Sequence, residues 1–198
     1  MKNYKIIALF GKSGAGKDTI LKELCQPEFL EKYNLKPIIS CTTRKPRDYE
    51  IHGKDYYFLT GEEFKNEILS GNMLEATEFI EQFYGTRASD LDEDKINIGV
   101  FNIDGILNLR TVNEIEVIPV FIDCDAKERL IRCLNREEHP NVNEVIRRYQ
   151  ADEKDFSEIP FAYIAYDNSN DNYNYPGAWA KELEEELLNK VWAVLYCG

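Results

Sequence analysis

Residues 11–19 read GKSGAGKDT, a GxxxxGK pattern between a short apolar run, Lys5 to Phe10 (KIIALF), and a stretch from Thr19 to Leu24 whose Ile20, Leu21 and Leu24 share one helical face. A buried strand, a glycine turn and a helix, in that order, are the context this pattern requires. Its chemistry is anion binding. The glycines let backbone amides turn inward as a nest, the helix start adds a partial positive charge, and Lys17 supplies a full one. Gly11, Ser13, Gly14, Ala15, Gly16, Lys17, Asp18 and Thr19 are the expected lining of a site for nucleotide phosphates. Asp18 stands where Ser or Thr usually gives magnesium a hydroxyl ligand. Two arrangements keep Mg2+ there: Asp18 holds it through waters, or Thr19 substitutes for the missing hydroxyl.

A second constellation lies in Ser40 to Phe58, SCTTRKPRDYEIHGKDYYF. Arg44, Lys45 and Arg47 gather beside Tyr56 and Tyr57, a set suited to clamping a phosphate that also needs phenol hydrogen bonds. Pro46 stiffens the span between the two arginines. A third group, Arg132, Arg136, Arg147 and Arg148, brackets His139-Pro140 on two predicted helices. Phosphoryl transfer builds negative charge on the moving group, and positioned cations answer it. Two helices bracketing the His139-Pro140 turn are the place for a mobile lid. Arg132 and Arg147 have a second possibility, pairing with Glu128, Glu144 or Glu137 on the helix surface. His52 and His139 have no carboxylate or Cys at ligand spacing and are expected to be ordinary loop residues.

The elements that must hold these groups alternate. Short apolar runs at 5–10, 36–41, 98–103 and 117–122, the last containing Pro119, read as strands, with 53–59 (GKDYYFL) and 163–166 as further candidates. Helical spacing appears at 62–69, stopped by Gly71, at 127–135, at 143–155 and at 178–195, where Trp179, Leu183, Leu187, Val191 and Leu195 form one stripe. Strands alternating with helices predict an α/β protein with a parallel sheet. The aromatic, strand-rich segment 36–90 breaks the alternation and reads as an insertion, and 168–177 (NSNDNYNYPG) reads as a polar surface loop.

Composition limits the partners. The 198 residues suit one packed core with small insertions, and 43% hydrophobic with 30% charged residues fits a folded globular chain. Lys and Arg number 24 against 36 Asp and Glu, giving a formal charge of -12. Such a surface repels polyanions, so neither nucleic acid nor an anionic membrane is an expected partner. The apolar run near the start is too short to span a bilayer and carries no cleavable signal pattern, so the expected compartment is the cytoplasm. Five scattered cysteines without a CxxC pair are expected to be free thiols.

The phosphate loop, TTRxPR (Thr42 to Arg47), GKDYYF (Gly53 to Phe58), LEATEF (Leu74 to Phe79) and YGT (Tyr84 to Thr86) occur together in an order and spacing that resembles guanylate kinases. The resemblance covers most of the first 110 residues. It implies a three-layer P-loop kinase core with a parallel sheet, an inserted mixed-sheet GMP-binding region and a helical lid. The implied divisions are core 1–35, GMP-binding insertion 36–90, core 91–125, lid 126–150, and core with carboxy-terminal helix 151–198. Carried over by resemblance, Arg44, Arg47, Tyr56 and Tyr84 hold the GMP phosphate, while Ser40, Glu75, Thr86 and Asp104 read the guanine. Lys17, Arg136 and Arg148 are the implied catalytic cations. The implied reaction moves the γ-phosphate of ATP to GMP or dGMP with Mg2+, in a monomer or small homo-oligomer.

Three positions depart from the family. Asn102 replaces an Asp, Ile106 and Leu107 replace Gln-Gly, and Asp167-Asn168 reverses the usual Asn-Asp. Two rival readings are a related kinase with another nucleotide acceptor and a non-catalytic guanylate-kinase-like interaction module. Retention of Gly11, Gly16 and Lys17 speaks against the module.

Overall fold

A computed structural model describes residues 3–136, 138–169 and 182–197. The chain forms two compact units. One takes the residues up to Ala8 with Leu24–Val117, and the other takes Leu9–Glu23 with the residues from Ile118 onward. The larger sheet has the order β2-β7-β1-β8-β9, from β1 (Tyr4–Phe10), β2 (Leu35–Pro37), β7 (Ile96–Val100), β8 (Ile115–Asp123) and β9 (Ile164–Asp167). β2 runs parallel to β7, and β8 runs parallel to β9. Continuous apolar runs serve this arrangement, since both faces of a parallel strand are covered; Ile6 to Phe10 are all buried.

In the first unit, β3 (Cys41–Thr42), β4 (Tyr57–Phe58), β5 (Met73–Phe79) and β6 (Gln82–Arg87) form a mixed sheet in the order β4-β3-β6-β5. The β3–β4 pair is parallel and the β3–β6 and β5–β6 pairs are antiparallel. A tight turn closes the β5–β6 hairpin, with Ile80 and Glu81 both at positive φ. Helix α3 (Gly61–Leu69) starts at a reciprocal Thr60/Glu63 capping box and ends before Gly71, which takes the left-handed conformation at φ 68°.

Several expected elements are corrected. The single strand at 36–41 is two. Leu35–Pro37 lies beside β7, Ile38 still donates its amide to Ile98 O (2.8 Å), and Cys41–Thr42 then joins the other sheet. Of 53–59 only Tyr57–Phe58 is strand. The preceding residues fold into a turn in which Lys54 and Asp55 donate to Ile51 O, and Gly53 donates to Tyr56 O. β7 begins at Ile96 and stops at Val100, because Asn102 caps α4 (Ile103–Leu109), its side chain accepting the Gly105 amide at 2.7 Å. Pro119 is tolerated within β8 because β9 first pairs at Val120, so on that side no ladder bond is asked of it.

In the second unit, α1 (Lys17–Leu24) follows the glycine loop, α5 (Ala126–Asn135) is capped by Asp125, and α6 (Val142–Asp155) is capped by Asn141. Phe10 packs among Phe121, Phe156, Phe161 and Tyr163, with ring centroids 5.3 to 6.2 Å apart. The carboxy-terminal stripe is present where described. Leu183–Leu188 is wound as a π-helix and α7 (Asn189–Cys197) continues it, with Leu183, Leu187 and Val191 buried. Trp179 and residues 170–177 of the expected polar loop lie outside the described residues. Among the described residues no helix is long and apolar enough to cross a membrane. Cys25, Cys41, Cys124 and Cys133 are free, and burial pushes the thiols of Cys25 and Cys41 up to about 11.

Candidate active site

The glycine loop of the second unit is built for close backbone approach. Gly11 sits at φ 152°, and a Cβ there would lie 2.3 Å from Ile122 O; Gly14, at φ 80°, would meet Arg129 O at 2.5 Å. No other residue type fits those two places. Lys17, at the start of α1, donates from Nζ to Gly11 O (2.7 Å) and Lys12 O (3.0 Å), which closes the loop around its own ammonium. Burial within that loop lowers the Lys17 pKa, and Asp18 and Asp152 partly offset the effect. Asn168, at the end of β9, is buried and donates from Nδ2 to Ala15 O at 2.7 Å. Ser13 donates its amide to Asp152 Oδ2 at 2.7 Å.

Asp18 and Thr19 are exposed in the first turn of α1. Their oxygens are hard donors, which fits Mg2+, an ion that keeps several waters and takes one or two protein oxygens. Among the described residues no group of three or more His, Cys, Asp or Glu could hold a metal ion.

The four arginines expected in the lid divide. Arg132 turns away from it, reaching Glu128 (3.1 Å), Asn168 O (3.0 Å) and Cys124 Sγ (3.2 Å). Arg147 and Arg148 share Glu144, at 2.9 and 2.8 Å. Arg136 is exposed where α5 ends.

The first unit brings the other expected residues together on its mixed sheet and the loop that feeds it. Arg44 and Arg47 converge on one carboxylate, that of Glu50. Arg44 Nη1 and Nη2 each donate to it at 2.9 Å, Arg47 Nη1 donates at 3.0 Å, and the Arg47 amide adds a bond at 2.7 Å. Burial would raise the Glu50 carboxyl, but the arginines outweigh it and hold Glu50 below the usual carboxylate range. Tyr56 lies under the Arg44 guanidinium, 5.4 Å from ring centroid to Cζ, and 6.3 Å from the Tyr84 ring. The four residues expected to clamp a phosphate thus lie together, and Glu50, which no motif marks, is at their centre. Its position three residues after Arg47 was the available signal.

Glu75 on β5 faces Thr86 on β6 in register, and both are buried, as is Ser40. Desolvation raises the Glu75 carboxyl to about 7 despite the opposing pull of the nearby Thr86 hydroxyl and amide. The Thr86 hydroxyl oxygen itself is buried without a properly aligned hydrogen-bond partner among the described residues. A buried carboxyl beside a buried hydroxyl is a pair that a polar ligand edge would satisfy. Asp104 is exposed in the first turn of α4, and the neighbouring Gly105 is so close to Glu75 that a Cβ would lie 3.2 Å from Oε2. Asn102, where the family has Asp, exchanges hydrogen bonds with the Thr77 hydroxyl while capping α4.

The family model described as Guanylate kinase matches residues 3–175. The chain belongs to the guanylate kinase family. A guanylate kinase of Chlamydia felis is 35% identical over 134 residues, 66% of this chain and 63% of that protein. One from Wolbachia pipientis wMel is 35% identical over 157 residues, 77% of this chain and 76% of that one. The match thus spans just under two thirds of the Chlamydia relative's length. The crystal structure of guanylate kinase from Anaplasma phagocytophilum, 20% identical, superposes with a TM-score of 0.60 over 94% of this chain and 88% of that one. The fold is therefore that of the P-loop kinases, with its parallel sheet and second, mixed sheet.

Proposed function

We propose that this protein is an ATP:GMP phosphotransferase, moving the γ-phosphate of ATP to GMP or dGMP. The observation that carries the reading is the buried Glu75 beside the buried Thr86 hydroxyl, on the small sheet fed by the loop that carries Arg44, Arg47 and Tyr56. Guanine presents N1–H and N2–H side by side, which one carboxylate accepts, while O6 takes a hydroxyl hydrogen from Ser40 or Thr86. Adenine reverses that pattern and would leave Glu75 buried and unpaired, so discrimination is large. Asp104, at the start of α4, completes the base-reading set. The two arginines and two phenols receive the GMP phosphate.

On the donor side, the amides of residues 14 and 16–19 and the Lys17 ammonium hold the ATP phosphates, the Ser13 amide being taken by Asp152. Asp18 and Thr19 would hold Mg2+, directly or through water; the ion, when bound, neutralises phosphate charge. Arg136 and Arg148 answer the charge that grows on the moving group, Arg148 by releasing Glu144. No general base is required, because the attacking phosphate oxygen is already anionic. In this reading 36–90 is the acceptor-binding insertion, 126–150 the lid, and 1–35, 91–125 and 151–198 the core. The free thiols favour the cytoplasm, and a monomer or small homo-oligomer suffices, with neither nucleic acid nor membrane as partner.

A coupled ADP-release assay over GMP, dGMP, AMP, CMP and UMP tests this. GMP or dGMP is expected to be turned over at least a hundredfold faster than AMP. Turnover of another acceptor with no activity on either guanine nucleotide would overturn the substrate assignment.

A further inference from the structure

Arg129 and Asp152 are among the most buried charged residues described, with 3% and 2% exposure. They lie on α5 and α6, and neither falls within a recognisable motif. Both converge on the backbone of one phosphate-loop residue, Ser13. Asp152 Oδ2 accepts the Ser13 amide at 2.7 Å, and Arg129 Nη1 lies 3.5 Å from Ser13 O and 4.0 Å from Asp152 Oδ2. Glu153 extends the group outward, bonded to Arg129 at 3.3 Å and to Lys12 at 2.8 Å. The Tyr149 ring covers the guanidinium at 5.1 Å. The Arg129 backbone fits against Gly14, where a Cβ would not.

The bonds are unequal. Arg129 makes long contacts, and its Nε has no partner among the described residues, so the arginine adds charge balance more than hydrogen bonding. The short bond is Asp152 to Ser13. A stable core would be served as well by two apolar residues at 129 and 152, since a buried ion pair seldom stabilises more than a well-packed hydrophobic substitute. What an apolar pair could not supply is an acceptor for the Ser13 amide.

We propose that Asp152 is a positioning residue for the nucleotide donor: it fixes the tip of the phosphate loop through the Ser13 amide, with Arg129 as its counter-charge. This deepens the kinase reading and rests on it, because it assumes that the loop binds the donor phosphates. Asp152 touches no substrate. It acts through the loop, and it ties the loop to the two helices that carry Arg136 and Arg148.

Three variants separate positioning from plain stability, each scored by ATP binding in calorimetry, KM for ATP and for GMP, and Tm. Asp152→Ala removes acceptor and charge, and is expected to raise Kd and KM for ATP about tenfold, the size of one lost charge-assisted hydrogen bond, with KM for GMP moving less than twofold. Asp152→Asn keeps an acceptor for Ser13 but strands the Arg129 charge, so ATP affinity is largely restored while Tm stays low. The double variant Arg129→Leu/Asp152→Leu removes the charges together, so Tm recovers while ATP affinity stays weak. If ATP affinity instead follows Tm across the three variants, or KM for ATP and GMP rise together, the pair is structural and the proposal fails. Failure of the kinase reading looks different: wild type would bind ATP with the same variant pattern but transfer no phosphate to a guanine nucleotide.

Discussion

Arg44 with Arg47, and Arg147 with Arg148, each meet a glutamate, but under opposite conditions. Arg44 and Arg47 share Glu50, whose side chain is 5% exposed, through a fork of short bonds that includes a backbone amide. Arg147 and Arg148 share Glu144 on the surface of α6 at one-turn spacing, and the Arg147 side chain is 47% exposed. The first arrangement is largely dry and over-determined, so the guanidiniums are held in one orientation, which on the proposed function is set before a phosphate arrives. The second is wet and cheap to break, as exposed helical pairs are. A rigid clamp suits the group that must be held still, and a loosely paired cation suits the group that must change partners during transfer.

The largest effect should come from breaking the rigid side. Glu50→Ala leaves two half-buried arginines without their shared carboxylate, and is expected to cost about 3 kcal/mol of stability and to lower kcat/KM for GMP by about a hundredfold. KM for ATP should change little. Thermal unfolding and steady-state kinetics check it; an unchanged KM for GMP would mean that Glu50 does not orient the clamp.

Next in size is a pH effect at Glu75. Its carboxyl lies near 7, above the ordinary value, so its contribution to stability is fully present below the ordinary carboxylate pKa and is lost as pH rises through about 7. Guanine binding needs the ionised form. Affinity for GMP should therefore rise about tenfold between pH 6 and 8, and GMP should restore the stability lost over the same interval. Glu75→Gln should bind weakly with most of that slope gone. A slope that survives in Glu75→Gln would assign it to another group.

The smallest effect belongs to the loose side. Glu144→Ala should shift stability by less than about 1 kcal/mol and kcat by no more than about twofold. A large loss in either would put the two glutamates in the same class and remove the contrast.

Legibility from sequence followed distance along the chain. The glycine loop, the Arg44–Arg47 pair and the α5 and α6 helices were readable because their signals are local: a motif, a cluster, a 3.6-residue period. Glu50 was near enough to read, but an acid among bases looks like a bystander until the fork is seen. β3 and β4 are two-residue strands, too short for any period, and their place is fixed by pairing, β3 with β6 and β4 with β3, rather than by their own composition. Asn102 looked like a loss of acid, and in the fold it caps α4 and bonds Thr77. Asp152 and Ser13 are 139 residues apart; no local pattern marks an aspartate that will be buried against an arginine one helix away.

The hydrogen bond from Asn168 to Ala15 O joins residues 153 positions apart. Contacts of such separation form late, after the loop-closure entropy of the intervening chain has been overcome. The phosphate loop can therefore reach its finished shape only once β9 is in place. A nucleotide that recognises the finished loop binds a chain that includes β9 in preference to any fragment that lacks it, and its binding free energy becomes part of the folding free energy of the whole second unit.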